Sequence, residues 1–378
     1  LEVREVGLAG ERAEAGELGA VERDLVVAGG RRVLERLEVL AGLRRHGGAL
    51  HTKPVTITCV SDEVQRAARA LREGGLIGLP TETVYGLGAD ASNELAVRRI
   101  FAVKGRPSNH PLIVHVASAE VAKRWAARWP DEAARLADAF WPGPLTLIVK
   151  RSSLASDAVT GGQETVGLRV PDHALALELL RVFDGGVAAP SANRFGRVSP
   201  TTAKHVRDEL GDDVELVLDG GACRVGVEST IVDLSGPAPR LLRPGGVPKE
   251  AVERVLGKDV PLASHATDVR APGMLASHYA PRAGLWLVTN ATLADEVAKR
   301  LSAGSKVAVV APKGTAMPEG VTRFEVPDDD AGYARALYAT LREVDERGLD
   351  VVLAVPPAES GVGLAVVDRL RRASAPRG

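Results

Sequence analysis

Two short segments carry most of the chemistry this chain could perform. Pro80-Thr-Glu-Thr-Val-Tyr-Gly-Leu-Gly88 is a hydroxyl-rich, glycine-bearing loop that leaves a buried apolar run, and Lys104-Gly-Arg-Pro107 returns two cations after one helix. Four further segments join them: Gly167-Leu-Arg169-Val-Pro-Asp-His173, Ala189-Pro-Ser191-Ala-Asn193, Val227-Glu-Ser229-Thr230-Ile-Val-Asp233 and Leu242-Arg243-Pro-Gly-Gly246. All fall at predicted strand ends or turns, where ligand sites in α/β sheets gather. Arginine grips oxyanions bidentately and lysine acts as a point charge, while hydroxyls and the Asn193 amide supply directional bonds. These parts suit a polyphosphate and an amino acid. Nucleotidyl transfer needs positioning and electrostatic stabilisation rather than a covalent nucleophile. Each piece alone is weak: Lys-Gly-Arg is commonly a solvated helix end, Ser-Ala-Asn a turn, Arg169 an ion pair and His115 a satisfied core histidine. The combined order and spacing carry the reading.

Elements able to position these residues follow from the apolar pattern. Ser61 is placed to cap a helix whose Val64, Ala67, Ala68 and Leu71 share one face, ended by Gly74-Gly75. Leu76–Leu79 reads as a buried strand, Asn93 opens a helix to about Val103, and Leu112–Val116 is a strand. Ala119–Trp129 and Glu132–Phe140 read as helices. Further strands are expected at Leu145–Lys150, Val166–Val170, Val187–Ala189, Val214–Leu218, Ser229–Leu234 and Arg240–Leu242. Ser199-Pro200 offers an N-cap and first-turn proline for a helix to Leu210. The expected class is α/β: a large twisted mixed sheet domain with helices over 55–257 and a small C-terminal βαβ, Rossmann-like domain over 284–378. In the small domain, strands at Leu285–Val288, Lys306–Val310 and Val351–Val355 alternate with helices at Leu293–Leu301, Tyr333–Arg347 and Gly363–Arg372. Residues 258–283 form an ordered connector, since Met274, His278 and Tyr279 crowd between Pro272 and Pro281. Residues 1–54 read as a poorly ordered extension with one helix-like patch, Arg31 to Arg45, where Val33, Leu34, Leu37, Leu40 and Leu43 recur at helical spacing.

Bulk composition narrows the function classes. The chain has 378 residues with 45% apolar and 26% charged residues, an ordinary soluble balance. A formal net charge of -1 gives no global cationic field, and 3% aromatics leave few rings for base stacking, so no tight direct nucleic-acid binding is expected. The two cysteines form no CxxC pair, which argues against a zinc site or disulfide framework and for a reducing, cytoplasmic setting. No apolar run is long enough for a membrane span, and the first residues do not read as a signal peptide.

The motifs resemble the YrdC-like family, specifically its long two-domain form. The resemblance covers about Val55 to Arg372 and rests on PTETVYGLGAD (80–90), KGRPSNHPLIVHV (104–116), WPGPLTLIV (141–149), GLRVPDH (167–173), APSAN (189–193), GVESTIVD (226–233), LRPGG (242–246) and PGMLASHYAP (272–281). It implies synthesis of threonylcarbamoyl-AMP from L-threonine, bicarbonate and ATP with release of pyrophosphate. A downstream transferase complex then uses the product to modify tRNA. It implies Thr81, His115, Arg169 and Ser229 around threonine, with Arg169 on its carboxylate. Lys104, Arg106, Thr146, Ser191, Asn193, Ser199, Arg243 and Tyr279 would line the ATP side, with Lys104 and Arg106 lowering the repulsion between reacting anions and Tyr279 acting as part of a lid. Mg2+ is implied as the ATP counterion, with no dedicated protein ligands. Ala271 stands where the family often has serine.

Rivals are weaker. No P-loop occurs, Gly361-Val-Gly363 lacks a third glycine for dinucleotide binding, and Asp328-Asp-Asp330 reads as a solvated turn and cap. An RNA-binding or ribosome-maturation module of the same fold fits poorly with the neutral charge. A carbamoyl-transfer maturation enzyme would need further acylphosphatase-like and zinc-finger segments.

Overall fold

Ser61 caps the first helix of the main body as its sequence suggests, its hydroxyl accepting from the Val64 amide at 3.3 Å. The computed structural model describes residues 21–27, 31–37, 61–263, 269–274 and 277–376. They belong to two units, Leu1–Thr58 and Cys59–Gly378.

In the first unit, β1 (Val21–Val27) pairs antiparallel with β2 (Arg31–Leu37), Val21 opposite Leu37 and Val27 opposite Arg31. The expected helix over 31–45 is therefore corrected at 31–37, and 38–45 lie outside the described residues. A strand's backbone groups are satisfied by a partner segment, and apolar spacing within one segment does not reveal that partner.

The second unit begins with α1 (Asp62–Arg72), β3 (Ile77–Leu79), β4 (Gly86–Asp90), α2 (Glu94–Lys104), β5 (Ile113–His115), α3 (Ala119–Trp125), α4 (Asp131–Phe140) and β6 (Leu145–Lys150). It continues with α5 (Asp157–Thr160), β7 (Thr165–Arg169), α6 (Ala174–Phe183), β8 (Val187–Ala188), α7 (Ala203–Leu210), β9 (Leu216–Val217), β10 (Thr230–Asp233), β11 (Arg240–Arg243) and α8 (Lys249–Leu256). The nine strands form one sheet in the order β11-β10-β6-β7-β5-β8-β4-β3-β9. The β10–β6, β5–β7 and β3–β9 pairs are parallel and the others antiparallel, giving the mixed sheet expected. Helices α1 and α6 bury Val64, Ala67, Leu71, Leu179 and Leu180 against Ile77, Leu79 and Val187. A second apolar cluster gathers residues of α2, α3, α4, α7 and α8, so α8 belongs to the large core although it follows the last strand.

The small domain holds β12 (Gly284–Leu287), α9 (Leu293–Ser302), β13 (Val307–Pro312), β14 (Thr322–Val326), α10 (Asp330–Glu346), β15 (Val351–Ala354) and α11 (Gly363–Ser374). Its sheet is parallel in the order β12-β15-β13-β14. An apolar cluster joins Tyr333, Leu337, Tyr338, Val366 and Leu370 to Val84, Val198, Val227 and Tyr279, so α10 and α11 pack directly on the loops at the strand ends of the large sheet.

Three local readings need correction, the first being that the helix expected over Ala119–Trp129 stops at Trp125, because Ala126 is extended. The helix expected from Ser199-Pro200 starts at Ala203, capped by Thr202, whose hydroxyl accepts from the His205 amide at 3.2 Å. Ser199 donates instead to Glu228 Oε1 at 2.7 Å, and the Pro200 carbonyl accepts from the Tyr85 amide. Gly86–Gly88, expected in the loop, instead open the central strand β4, because they pair with Leu79, Gly78 and Ile77 while Ala89 and Asp90 pair with Ala188 and Val187.

Candidate functional site

The β3–β4 connection sets the floor of the site. Thr81 Oγ1 donates to the Val84 carbonyl at 2.6 Å and accepts from the Thr83 amide at 3.2 Å, folding the hydroxyl-rich loop on itself. The Leu87 amide donates to Pro190 O and the Ala192 amide to Tyr85 O, which clamps this loop to the Ser-Ala-Asn turn. In the parallel β5–β7 register His115 lies beside Arg169, and both side chains are buried at adjacent strand ends.

The cations arrive from three directions. Asn93 caps α2 by accepting from the Leu95 and Ala96 amides, and Gly105, at φ +63°, ends it. That left-handed residue turns the chain so that Lys104 and Arg106 both point inward. Lys104 Nζ donates to the Ser191 carbonyl at 2.5 Å and to the Asn193 carbonyl. Burial, and then the neighbouring Arg106, holds its pKa well below the ordinary value. Arg106 donates to Pro111 O at 3.0 Å, and burial pulls its pKa down to about 10. Arg243, at the end of β11, spreads its guanidinium over Ser229 O, Ser229 Oγ and Pro272 O at 2.9–3.1 Å. It thereby ties the connector to β10.

These groups surround a polar cleft of about 530 Å³ including its mouth. Of the residues singled out from sequence, Thr81, Arg106, His115, Arg169, Ser191, Ser229, Arg243 and Tyr279 line it. Lys104, Thr146, Asn193 and Ser199 are buried and stand behind the lining. Thr146 shares a 2.8 Å hydroxyl bond with Ser229, and the Asn193 amide donates to the Arg194 and Arg197 carbonyls. A second cleft of about 650 Å³, including its mouth, adjoins the first across Arg106, Gly273 and His278, and is walled by His110, Phe195, Arg270 and Met274.

Several buried nitrogens in the lining have no hydrogen-bond partner among the described residues: Arg169 Nε and Nη2, Arg106 Nε, and the Nδ1 atoms of His115 and His278. Arg169 Nη2 lies 2.7 Å from Glu82 Oε1, an ion pair by distance whose N–H does not aim at the oxygen. Native proteins rarely leave buried polar atoms unpaired. Their convergence makes this cleft the candidate binding site. Burial, followed by the Arg169 charge, depresses the His115 pKa to about 3, so its ring is neutral near pH 7.

The connector forms the rim. Tyr279 adopts φ +61° and is buried, its ring 4.1 Å from His278 and stacked 5.8 Å from Tyr338. A Cβ on Gly273 would stand 2.1 Å from the Tyr279 hydroxyl, so only glycine fits there. Ala271 is buried beside Ile113, Ile148 and Leu242, a packing role in place of a hydroxyl contact.

Sequence reasoning passed over Thr83, Glu228 and His278 in the lining and Glu82 beside Arg169, although all four stand inside the quoted motifs. It also passed over Arg369 and Tyr338, which reach Glu228 from the small domain. A lone arginine beside Leu370 on the apolar face of the last helix was the available signal.

A mixed α/β sheet whose strand ends gather buried arginines, hydroxyls and neutral histidine around a cleft defines a protein built to hold small anions. The chain belongs to the threonylcarbamoyl-AMP synthase family. A family model described as "Telomere recombination" matches residues 69–245, and one described as "Threonylcarbamoyl-AMP synthase, C-terminal domain" matches residues 247–375. The chain is 43% identical over 322 residues to a threonylcarbamoyl-AMP synthase of Pyrococcus abyssi, covering 82% of this chain and 94% of the relative. It is 39% identical over 324 residues to one of Bacillus subtilis, covering 83% of this chain and 94% of that relative. The crystal structure of P. abyssi Sua5 complexed with L-threonine matches with a TM-score of 0.79 and 43% identity, over 82% of this chain and 94% of that one. No helix among the described residues is long and apolar enough to cross a membrane.

Proposed function

We propose that this protein makes threonylcarbamoyl-AMP from L-threonine, bicarbonate and ATP, with release of pyrophosphate. The observation that carries the reading, beside family membership, is the set of buried cationic and imidazole nitrogens that face one cleft without a hydrogen bond to the protein. Such donors suit a carboxylate and a polyphosphate.

The amine of threonine condenses with bicarbonate to a carbamate and water. A carbamate oxygen then attacks the α-phosphorus of ATP, the bond from that phosphorus to the bridging oxygen breaks, and pyrophosphate leaves with that oxygen. Arg169 would grip the threonine carboxylate, with Thr81, His115 and Ser229 completing that subsite. Arg106, Ser191, Arg243 and Tyr279 would meet the nucleotide, and the adjoining cleft past Arg106 gives it length. Lys104 would act through the Ser191 and Asn193 carbonyls it holds, and Thr146, Asn193 and Ser199 through the lining they brace. Fixed cations oppose the repulsion as two anions meet and stabilise charge on the departing pyrophosphate.

Magnesium enters as the counterion of ATP. Glu228 in the lining and Glu82 beside Arg169 are each engaged by an arginine, which leaves the metal to the phosphates and water. The product then serves a separate tRNA threonylcarbamoyl-transferase system in the cytoplasm. The cations line a cleft rather than spread over an exposed face, which favours this reading over an RNA-binding module.

Pyrophosphate release by the purified protein tests it. Release should require L-threonine and bicarbonate together, and equal ATP turnover without them would exclude it.

A further inference from the structure

Glu228 sits oddly in a cleft meant for anions. It is 6% exposed and lines the same wall as Arg243 and Ser229. A carboxylate there would repel ATP unless its charge were answered. The answer comes from the small domain. Arg369, on α11, is fully buried, and its Nε donates to Glu228 Oε2 at 2.7 Å. Its Nη2 donates to Pro244 O at 3.0 Å and its Nη1 to Asp368 Oδ2 at 2.5 Å, so the guanidinium is held in one orientation. Tyr338, on α10, donates its hydroxyl to both Glu228 oxygens at 2.9 and 3.1 Å, and Ser199 donates to Oε1. Arg369 also lies 5.1 Å from the centre of the Tyr279 ring, beneath the connector. Burial would raise the Glu228 pKa, but Arg369 and then Arg243 outweigh it and bring it to about 2, so the carboxylate is ionised at neutral pH.

The charge count then has a clear sign. Glu82 answers Arg169, and Arg369 answers Glu228 from outside the cleft. Arg106 and Arg243 are left as net positive charge facing the ligand. Without Arg369, Glu228 would cancel one of them.

We propose that the small domain sets the net charge of the cleft through Arg369, a positioning residue that compensates Glu228 and thereby tunes affinity for the polyphosphate over that for the amino acid. The proposal rests on the functional reading above. ATP carries several negative charges and feels the net charge of the wall, whereas threonine is a zwitterion and feels it little.

The test is titration calorimetry of the full chain with MgATP and separately with L-threonine, alongside thermal unfolding. Arg369→Met should weaken ATP at least about tenfold, since a buried uncompensated charge would face the phosphates, and should move threonine affinity about threefold or less. Glu228→Gln should tighten ATP about threefold or more even though it breaks the network and lowers the unfolding temperature. A merely structural role would move ATP affinity down, or not at all, in both variants. Glu228→Gln leaves Arg369 its Asp368 partner, so it decides the matter alone if Arg369→Met does not fold. ATP binding unchanged or weakened in Glu228→Gln would overturn the proposal. If the unaltered protein neither binds ATP nor releases pyrophosphate with threonine and bicarbonate, the functional reading fails instead. If it does both and the two variants bind ATP alike, this inference alone fails.

Discussion

The two sheets of the main body treat their buried polar groups in opposite ways. In the small domain these groups are engaged: Tyr333 donates to Val355 O at 3.0 Å, Tyr338 to Glu228, and Arg369 to three acceptors. Even Arg300, whose Nε lacks a hydrogen bond, lies 4.0 Å over the Trp286 ring. Around the cleft of the large sheet, Arg106, His115, Arg169 and His278 each keep a buried nitrogen without a hydrogen bond. Satisfied groups stabilise a fold, whereas unsatisfied ones make folding less favourable and are retained where a ligand completes them. The difference separates a scaffold from a site more sharply than composition does, since both regions are rich in buried valine, leucine and alanine.

The contrast can be broken most directly at Arg106. Arg106→Ala should cut turnover at least about 100-fold, the loss of roughly 2.7–4 kcal/mol typical of one transition-state contact. The unfolding temperature should hardly change, because the side chain makes one hydrogen bond to the protein. Tyr333→Phe should do the reverse. It should lower stability in urea by about 1 kcal/mol, one hydrogen bond, with steady-state kcat/KM unmoved. Equal effects of the two changes on both measurements would erase the distinction.

Acid should also separate the regions. Burial, followed by Arg169 in one case and opposed by Glu228 but helped by Arg106, Lys104 and Arg369 in the other, lowers the His115 and His278 pKa values from 6.5 to about 3. In the unfolded chain both rings bind protons near 6.5, and in the folded protein they do not. The stability they contribute is present above that pH and is lost as pH falls toward 3. The unfolding temperature should therefore drop between about pH 7 and pH 5, and His278→Gln should flatten that slope. Glu228 acts in a lower window, from 4.5 down to about 2, so it does not account for a change above pH 5.

The smallest effect concerns the first unit. A chain starting at Cys59 should keep pyrophosphate release within about twofold of the full chain, because the second unit holds every lining residue of the cleft. An insoluble or inactive product would show that the main body depends on the hairpin.

Much of the framework was legible because it rests on local rules. Ser61 and Asn93 cap the helices they precede, Leu145–Lys150 is a strand with the expected bounds, and the last helix begins at Gly363. Short-range sterics and capping bonds dictate these features. Long-range pairing was less visible. Strand β4 and the displaced start of α7 each depend on a distant segment, Val187–Ala188 or Glu228 taking the Ser199 hydroxyl, and the β1–β2 hairpin depends on a neighbouring strand that the apolar spacing of one segment does not reveal.

The sequence by itself determined which residue types could meet anions and in what order they follow the strands, because motif chemistry and helix punctuation are local. Only the tertiary structure decided which of them face the cleft. It turned Lys104 onto two carbonyls, set Arg169 against Glu82 without a hydrogen bond, and carried Arg369 from the far end of the chain to Glu228. The physical reason is that a side chain's partner is fixed by packing between elements remote in sequence, and burial then sets whether its charge and its hydrogen bonds remain available to a ligand.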